Sequence, residues 1–400
     1  MKERLIRAKN IINRKSKLNY NKFVKINSHG FRDKERSHEK KKGVFRILVL
    51  GDSMTEALQI PLEQSYPYIL ETMLNSESGK RFEVVNLAVS GFNTAQEYLM
   101  FKYYGLKYQP DFVILSFFNG DDFRGNSFVL ERELVNSDGG EINNGHNPYF
   151  ILNGEKVGEK GFEIEVNSSS KEITKRDQNG LLYIIKRISV GLYPNIYYSL
   201  VDWVKESPRV ADLFLKSGST KIKSKRSVIP SSYEAYAEES SPRWQNDWKV
   251  TKFLISKLAR ELKKRGTDFL VIVIPNEFEL KSDKWGKVLH KYPEMKTINF
   301  DIKKPERILV KFLKKDKIDY LLLRPKLEKY SRKTGNDLYL NYNESHWNSN
   351  GHAIVAQLIY RKLRDYKLTP RASYTSLKDK SCVEYPFYNL LGLISRCGET

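Results

Sequence analysis

From Arg46 onward, short apolar runs closed by Gly, Asn or Pro alternate with longer stretches whose apolar residues recur every three or four positions. The short runs are Arg46 to Leu50 (RILVL), Phe82 to Ala88 (FEVVNLA), Asp111 to Phe117 (DFVILSF), Phe269 to Ile274 (FLVIVI) and Ile318 to Leu323 (IDYLLL). Their near-continuous Val, Ile and Leu content predicts strands buried on both faces, as in parallel sheets. The longer stretches predict helices over Leu62 to Asn75, Thr94 to Leu106, Trp244 to Arg265 and Pro305 to Lys314, with a last one, AIVAQLIYRKL, after Asn350. This alternation predicts an α/β fold: a three-layer α/β/α sandwich around a mainly parallel five-stranded sheet.

Residues 124–240 interrupt the alternation, because they are far too long for an ordinary crossover between the third and fourth strands. They are expected to form an insertion or cap. It would hold a hairpin (YFILNGEKVGEKGFEIEV, turning at Asn153-Gly154), an aromatic helical piece (LLYIIKRISVGLYPNIYYSLVDWV) and a Lys/Ser tract, KSGSTKIKSKRS. The expected organisation is therefore a basic arm at 1–43, an α/β domain built from 44–123 and 241–366, the insertion at 124–240, and a C-terminal tail at 367–400 without a clear period.

With 400 residues, 40% of them hydrophobic and 12% aromatic, the chain can bury a sizeable core, which excludes disorder as its main state. Only two cysteines occur, Cys382 and Cys397, so neither a disulfide framework nor a Cys-based zinc module holds the fold, although one late disulfide stays open. The opening MKERLIRAKNIINRKSKLNY lacks a signal peptide's apolar stretch, and no later run approaches the roughly 18 apolar residues of a spanning helix. A soluble chain, cytoplasmic by default, is the expectation. The net charge of +21 is concentrated: residues 1–46 carry sixteen Lys or Arg against four Asp or Glu. No aromatic residues alternate with these bases as a stacking platform would need, so no specific nucleic-acid partner is expected. The arm reads as a solvated basic tail, with contact to an anionic surface as the alternative.

In an open parallel sheet, ligands bind outside the carboxyl ends of the strands. There the chain places Gly51-Asp52-Ser53-Met54-Thr55-Glu56, Ser90-Gly91-Phe92-Asn93 and Asn119-Gly120-Asp121-Asp122, with Asn343-Glu344-Ser345-His346-Trp347-Asn348 before the last helix. A lone serine after a strand is more often a helix cap than a nucleophile. Together, a hydroxyl, a flexible glycine amide, polar side chains and a histidine beside a carboxylate make the parts list for acyl transfer.

These four blocks resemble the SGNH, or GDSL, hydrolase family of esterases and deacetylases over residues 27–122 and 244–364. RILVLGDSMTEALQI aligns with the block that carries the family's nucleophile, which falls on Ser53, and VVNLAVSGFNT aligns with the oxyanion-hole block, whose glycine falls on Gly91. PDFVILSFFNGDD and NESHWNSNGHAIVA depart further from pattern, and the second places the catalytic histidine on His346. The resemblance implies a flavodoxin-like sheet, no cofactor, and a small-molecule or glycan ester as substrate. It assigns the oxyanion hole to the amides of Ser53 and Gly91 and to a third donor whose place is taken by Asp121. An ionised carboxylate there would repel the oxyanion, so Asn119, two residues earlier, is the substitute donor. The carboxylate that orients His346 would be Glu344. Asn93 and Trp347 are substrate-binding candidates, with plain packing the alternative for Trp347.

Other chemistries fit less well. Thr55 stands where an α/β-hydrolase elbow needs glycine, the six histidines form no H-x-x-x-H or H-x-H set, and no GxGxxG or Walker loop is present. His352 is expected to be a structural, hydrogen-bonding histidine, and Trp244 and Trp248, four apart on a predicted helix, are expected to pack. The expected activity is ester hydrolysis through an acyl-enzyme. The alternatives are a catalytically silent glycan- or polyanion-binding protein, or a sugar O-acetyltransferase using the same residues.

Overall fold

The computed structural model describes residues 5–7, 23–77, 81–120, 122–124, 126, 149–152, 164–167, 229–240, 242–340 and 345–366. Five strands, β1 (Val44–Leu50), β2 (Arg81–Asn86), β3 (Phe112–Phe118), β4 (Asp268–Ile274) and β5 (Tyr320–Leu322), form one sheet in the order β2-β1-β3-β4-β5. Every pairing is parallel, with Val49 opposite Asn86, Leu50 opposite Leu115 and Phe118 opposite Ile274. The chain winds outward from β1 to β2 and then returns to β3 on its other side. The sheet therefore has its topological switch point between β1 and β3.

Successive side chains of a strand point to opposite faces, and here both faces are apolar. Leu48, Leu50, Val113, Leu115, Phe117, Val271 and Val273 meet one helical layer, built from α3 (Thr94–Tyr103), α5 (Pro242–Lys264) and α8 (Lys304–Lys315). Ile47, Val49, Phe112, Ile114, Ile272 and Ile274 meet the other, built from α2 (Tyr66–Glu77), α9 (Arg324–Thr334) and α10 (Ser349–Leu363). The other α-helices of the described residues are α1 (Ser53–Glu56), α4 (Ser231–Glu234), α6 (Glu277–Leu280) and α7 (Ser282–Lys291). The three-layer expectation holds, and the five strands fall within two residues of their predicted starts and ends.

The boundaries drawn from charge and length shift. The segment 27–36, assigned above to the basic arm, packs against the β2 edge: Arg36 pairs with Asp33 at 2.9 Å and with Glu71 at 2.7 Å, and donates to the Val84 carbonyl. Arg32, nearly fully buried, reaches beneath α1. The charges of this segment are thus spent on partners within the fold. At the other end of the insertion, Tyr236 lies in the main core, so the domain resumes before residue 241. The hairpin flanks pair, Tyr149 with Asn167 through Leu152 with Ile164, and the expected Asn153-Gly154 turn lies outside the described residues. The aromatic helical piece, the Lys/Ser tract, the tail and both cysteines lie outside the described residues. The Leu62 to Asn75 helix is divided into a 3-10 turn, Leu62–Gln64, and α2, with Pro67 in the first turn of α2 where its missing N–H costs nothing.

Candidate active site

The carboxyl end of β1 makes a sharp turn into α1. Gly51 permits it, since a Cβ there would lie 2.6 Å from Thr55 Oγ1 and 3.0 Å from Ser116 Cβ. Asp52 caps α1 by accepting the Met54 N–H at 2.9 Å, which puts Ser53 at the first helical position. The turn is fastened from behind: Thr55 Oγ1 is 3.1 Å from the Tyr66 hydroxyl, which is itself 2.6 Å from Ser116 Oγ on β3.

His346 arrives from the segment between α9 and α10. That segment is held on both sides of the imidazole. The Leu340 N–H donates to the His346 carbonyl at 2.8 Å, the Asn348 N–H donates to the Leu338 carbonyl at 3.0 Å, and the Asn348 side chain donates to the Asp337 and Tyr339 carbonyls. Asn348 also caps α10. Ser345, just before the histidine, holds a left-handed φ of +50° and donates from Oγ to Asn276 Oδ1 at 2.9 Å. The outcome is a contact across 293 residues of chain: His346 Nε2 lies 2.8 Å from Ser53 Oγ. His346 Nδ1 is shielded from solvent.

Gly91 sits in the exposed turn after β2, with φ +79° and no atom within 4 Å of where a Cβ would stand. Phe92 N–H closes that turn onto the Val89 carbonyl at 3.1 Å. The β3 loop is anchored by Asp122, whose buried carboxylate accepts the Phe118 N–H at 2.6 Å and whose carbonyl takes the Thr94 N–H at the start of α3. Phe123 then stacks on Trp248 at 4.7 Å and edges against Trp244 at 5.6 Å, so both tryptophans pack as expected.

Three sequence candidates are buried and engaged within the fold. Asn119 is 0% exposed, and its amide donates to Glu279 Oε2 at 3.0 Å, so it has no surface to offer an oxyanion. Trp347 is 1% exposed between Tyr66 and His352, which makes it core rather than substrate wall. Asn93 spends its side chain capping α3, accepting the Gln96 N–H and donating to the Arg124 carbonyl. Asp121 and Glu344 lie outside the described residues. His352 accepts the Tyr66 N–H through Nδ1 at 3.3 Å, and burial pushes it down to about 3, so it is neutral at ordinary pH.

Sequence reasoning gave no role to the groups that hold this arrangement together. Glu279, pushed up to about 8 by burial, accepts from Asn119, from the Asn276 N–H at 3.1 Å and from the Tyr236 hydroxyl at 3.3 Å. Asn276 in turn receives Ser345, so the β3 loop and the histidine loop share one buried hydrogen-bonded chain. Glu56 and Arg32 form a second such chain under the Ser53 turn. Their only signal in sequence is a charged residue beside an apolar run.

No protein-family model matches the chain. A curated arylesterase from Vibrio mimicus is 32% identical over 80 residues, which is 20% of this chain and 40% of that protein. The chain thus spans well under half the length of that relative. Among solved structures, a lipase/acylhydrolase from Enterococcus faecalis superposes with a TM-score of 0.38 at 11% identity, covering 80% of this chain and 96% of its own. An acetylxylan esterase from Geobacillus stearothermophilus also gives 0.38, at 10% identity, covering 80% and 94%. These neighbours are esterases and acylhydrolases. Among the described residues no group of three or more His, Cys, Asp or Glu could hold a metal ion, and no helix is long and apolar enough to cross a membrane.

Proposed function

We propose that this chain is a serine hydrolase acting on ester bonds, with Ser53 as nucleophile and His346 as general base and acid. The observation that carries the reading is the 2.8 Å separation of Ser53 Oγ and His346 Nε2, two groups brought together from opposite ends of the fold at the sheet's switch point. In the reaction, the Ser53 hydroxyl gives its proton to Nε2 as Oγ attacks the ester carbonyl. The resulting oxyanion is held by the backbone N–H groups of Ser53 and Gly91. Collapse expels the alcohol, which takes the proton back from His346 and leaves acyl-Ser53. Water activated by the same imidazole then releases the acid. Glu344 is assigned to orient the imidazole through Nδ1. No step needs a cofactor.

The finer substrate class follows from the sequence resemblance: an O-acetyl ester carried on a glycan. An aryl acetate is the practical first substrate, since its leaving group reports turnover without knowledge of the natural alcohol. Ser53→Ala should abolish its hydrolysis, and His346→Ala should lower kcat by about 10²- to 10⁴-fold, the usual share of general acid–base catalysis. Hydrolysis that survives Ser53→Ala would refute the assignment.

A further inference from the structure

The nucleophile helix reaches across to the Gly91 turn through one buried side chain. Glu56, three residues after Ser53, is 4% exposed and directs its carboxylate at Ser90. Oε2 accepts two hydrogen bonds from that residue, from the backbone N–H at 2.7 Å and from the hydroxyl at 2.5 Å. On its other side, Arg32 donates to the Glu56 carbonyl at 2.8 Å and to the Ile60 carbonyl; burial raises the Glu56 carboxyl above its ordinary value, opposed by the two Ser90 hydrogen bonds and, less, by the Arg32 charge. Asn86, at the end of β2, adds a bond from Nδ2 to the Thr55 carbonyl at 3.3 Å.

The turn that Glu56 grips has a property that makes the grip consequential. Val89 to Phe92 is closed by an i to i+3 hydrogen bond with Gly91 at its third position and φ +79°, as a type II turn requires. Types I and II differ by a flip of the central peptide, which here is the Ser90–Gly91 peptide and carries the Gly91 N–H. Glycine lets either state form. A contact holding Ser90 by both its N–H and its hydroxyl fixes the frame about which that peptide would rotate. The same residue also belongs to α1, so nucleophile and glycine amide are referred to one carboxylate.

We infer that Glu56 is a positioning residue for the oxyanion hole, holding the Ser90–Gly91 peptide so that the Gly91 N–H meets the charge that develops when Ser53 attacks. This rests on the assignment of Ser53 and Gly91 above. A misdirected amide weakens binding of the transition state and leaves ground-state binding nearly unchanged, so the effect belongs in kcat.

The test is steady-state hydrolysis of an aryl acetate by the full chain, with thermal melting of each variant alongside. Glu56→Ala should lower kcat by about 10- to 100-fold with KM within about threefold, less than the roughly 10²- to 10³-fold for removing a hole donor outright. Glu56→Gln, which keeps the length and one acceptor, should restore most of the loss. Ser90→Ala, which leaves the N–H in place, should fall between wild type and Glu56→Ala. Should Glu56→Ala fail to fold, Ser90→Ala decides the matter: kcat within about twofold of wild type, or a loss in KM alone, overturns the inference. Wild type that turns over through Ser53 while Glu56→Ala matches it removes the positioning role and leaves the hydrolase reading standing. Wild type without Ser53-dependent turnover removes both.

Discussion

At the scale of single residues, the site depends on backbone conformations that side chains alone would not choose. Ser345 holds a left-handed φ, which costs a non-glycine residue about 1 kcal/mol, and the Ser345–Asn276 hydrogen bond and the Leu340–His346 ladder contact offset it. The pairing of Ser53 with His346 was foreshadowed in the sequence because each sits in a short motif beside a strand or helix end. The surroundings of Asn119, Asn93 and Trp347 were not legible in the same way, because a polar or aromatic residue in a loop looks available until its burial is known. Glu56 and Glu279 carried little signal, since Ser90 lies 34 residues from the first and Asn119 160 residues from the second, and only the Asn276 N–H, three residues before Glu279, is a local partner. Asp121 is the residue where chemistry and resemblance conflict. If its position holds the third oxyanion donor, Asp121→Asn should raise ester hydrolysis by up to about 10²-fold, the scale of one such donor. An unchanged or lower rate, measured as kcat/KM on an aryl acetate, would show that Asp121 does something else.

At the scale of elements, the strands were legible because both faces of β1 and β3 are buried, which demands continuous Val, Ile, Leu and Phe whatever the surroundings. Helices α7 and α9 escaped notice. Their sequences, SDKWGKVLHK and RPKLEKYSRKT, are dominated by charge, and α9 buries a single residue, Leu327. Contacts between helices carry a pH dependence. His352 on α10 receives the Tyr66 N–H of α2, and burial, with the charges of Arg32 and His346 adding to it, pushes its imidazole from 6.5 down to about 3. The unfolded chain therefore takes up a proton below 6.5 that the folded chain refuses until about 3. Stability from this group is complete above 6.5 and is lost as pH falls. Glu279 acts in the opposite sense, since a carboxyl raised from 4.5 to about 8 favours the folded state less as pH climbs between those values. Comparing wild type with His352→Gln isolates the histidine. The advantage in melting temperature that wild type holds near pH 7 should shrink by about pH 4, and a constant difference would refute the linkage.

At the scale of the whole molecule, the charge of +21 describes a surface and an interior at once. Arg32, Arg36, Arg46 and Arg324 are spent inside or in partly buried pairs: Arg46 meets Glu83 at 2.7 Å, and Arg324 forks onto Glu306 at 2.7 and 2.8 Å. Net charge taken from sequence cannot distinguish such residues from a solvated tail. What sequence order did convey is the sheet. Five apolar runs separated by crossover-length segments predict a parallel layer, and the β2-β1-β3-β4-β5 order then puts the loops after β1, β2 and β3 together at one edge of the crevice. The central claim is that this crevice activates one serine. The most direct test is the intact mass of the chain after incubation with a fluorophosphonate, wild type beside Ser53→Ala, because phosphonylation requires an activated nucleophile and no knowledge of the substrate. A single adduct on wild type and none on Ser53→Ala is expected; an unmodified wild type, or an adduct that persists without Ser53, would show that Ser53 is not the activated nucleophile.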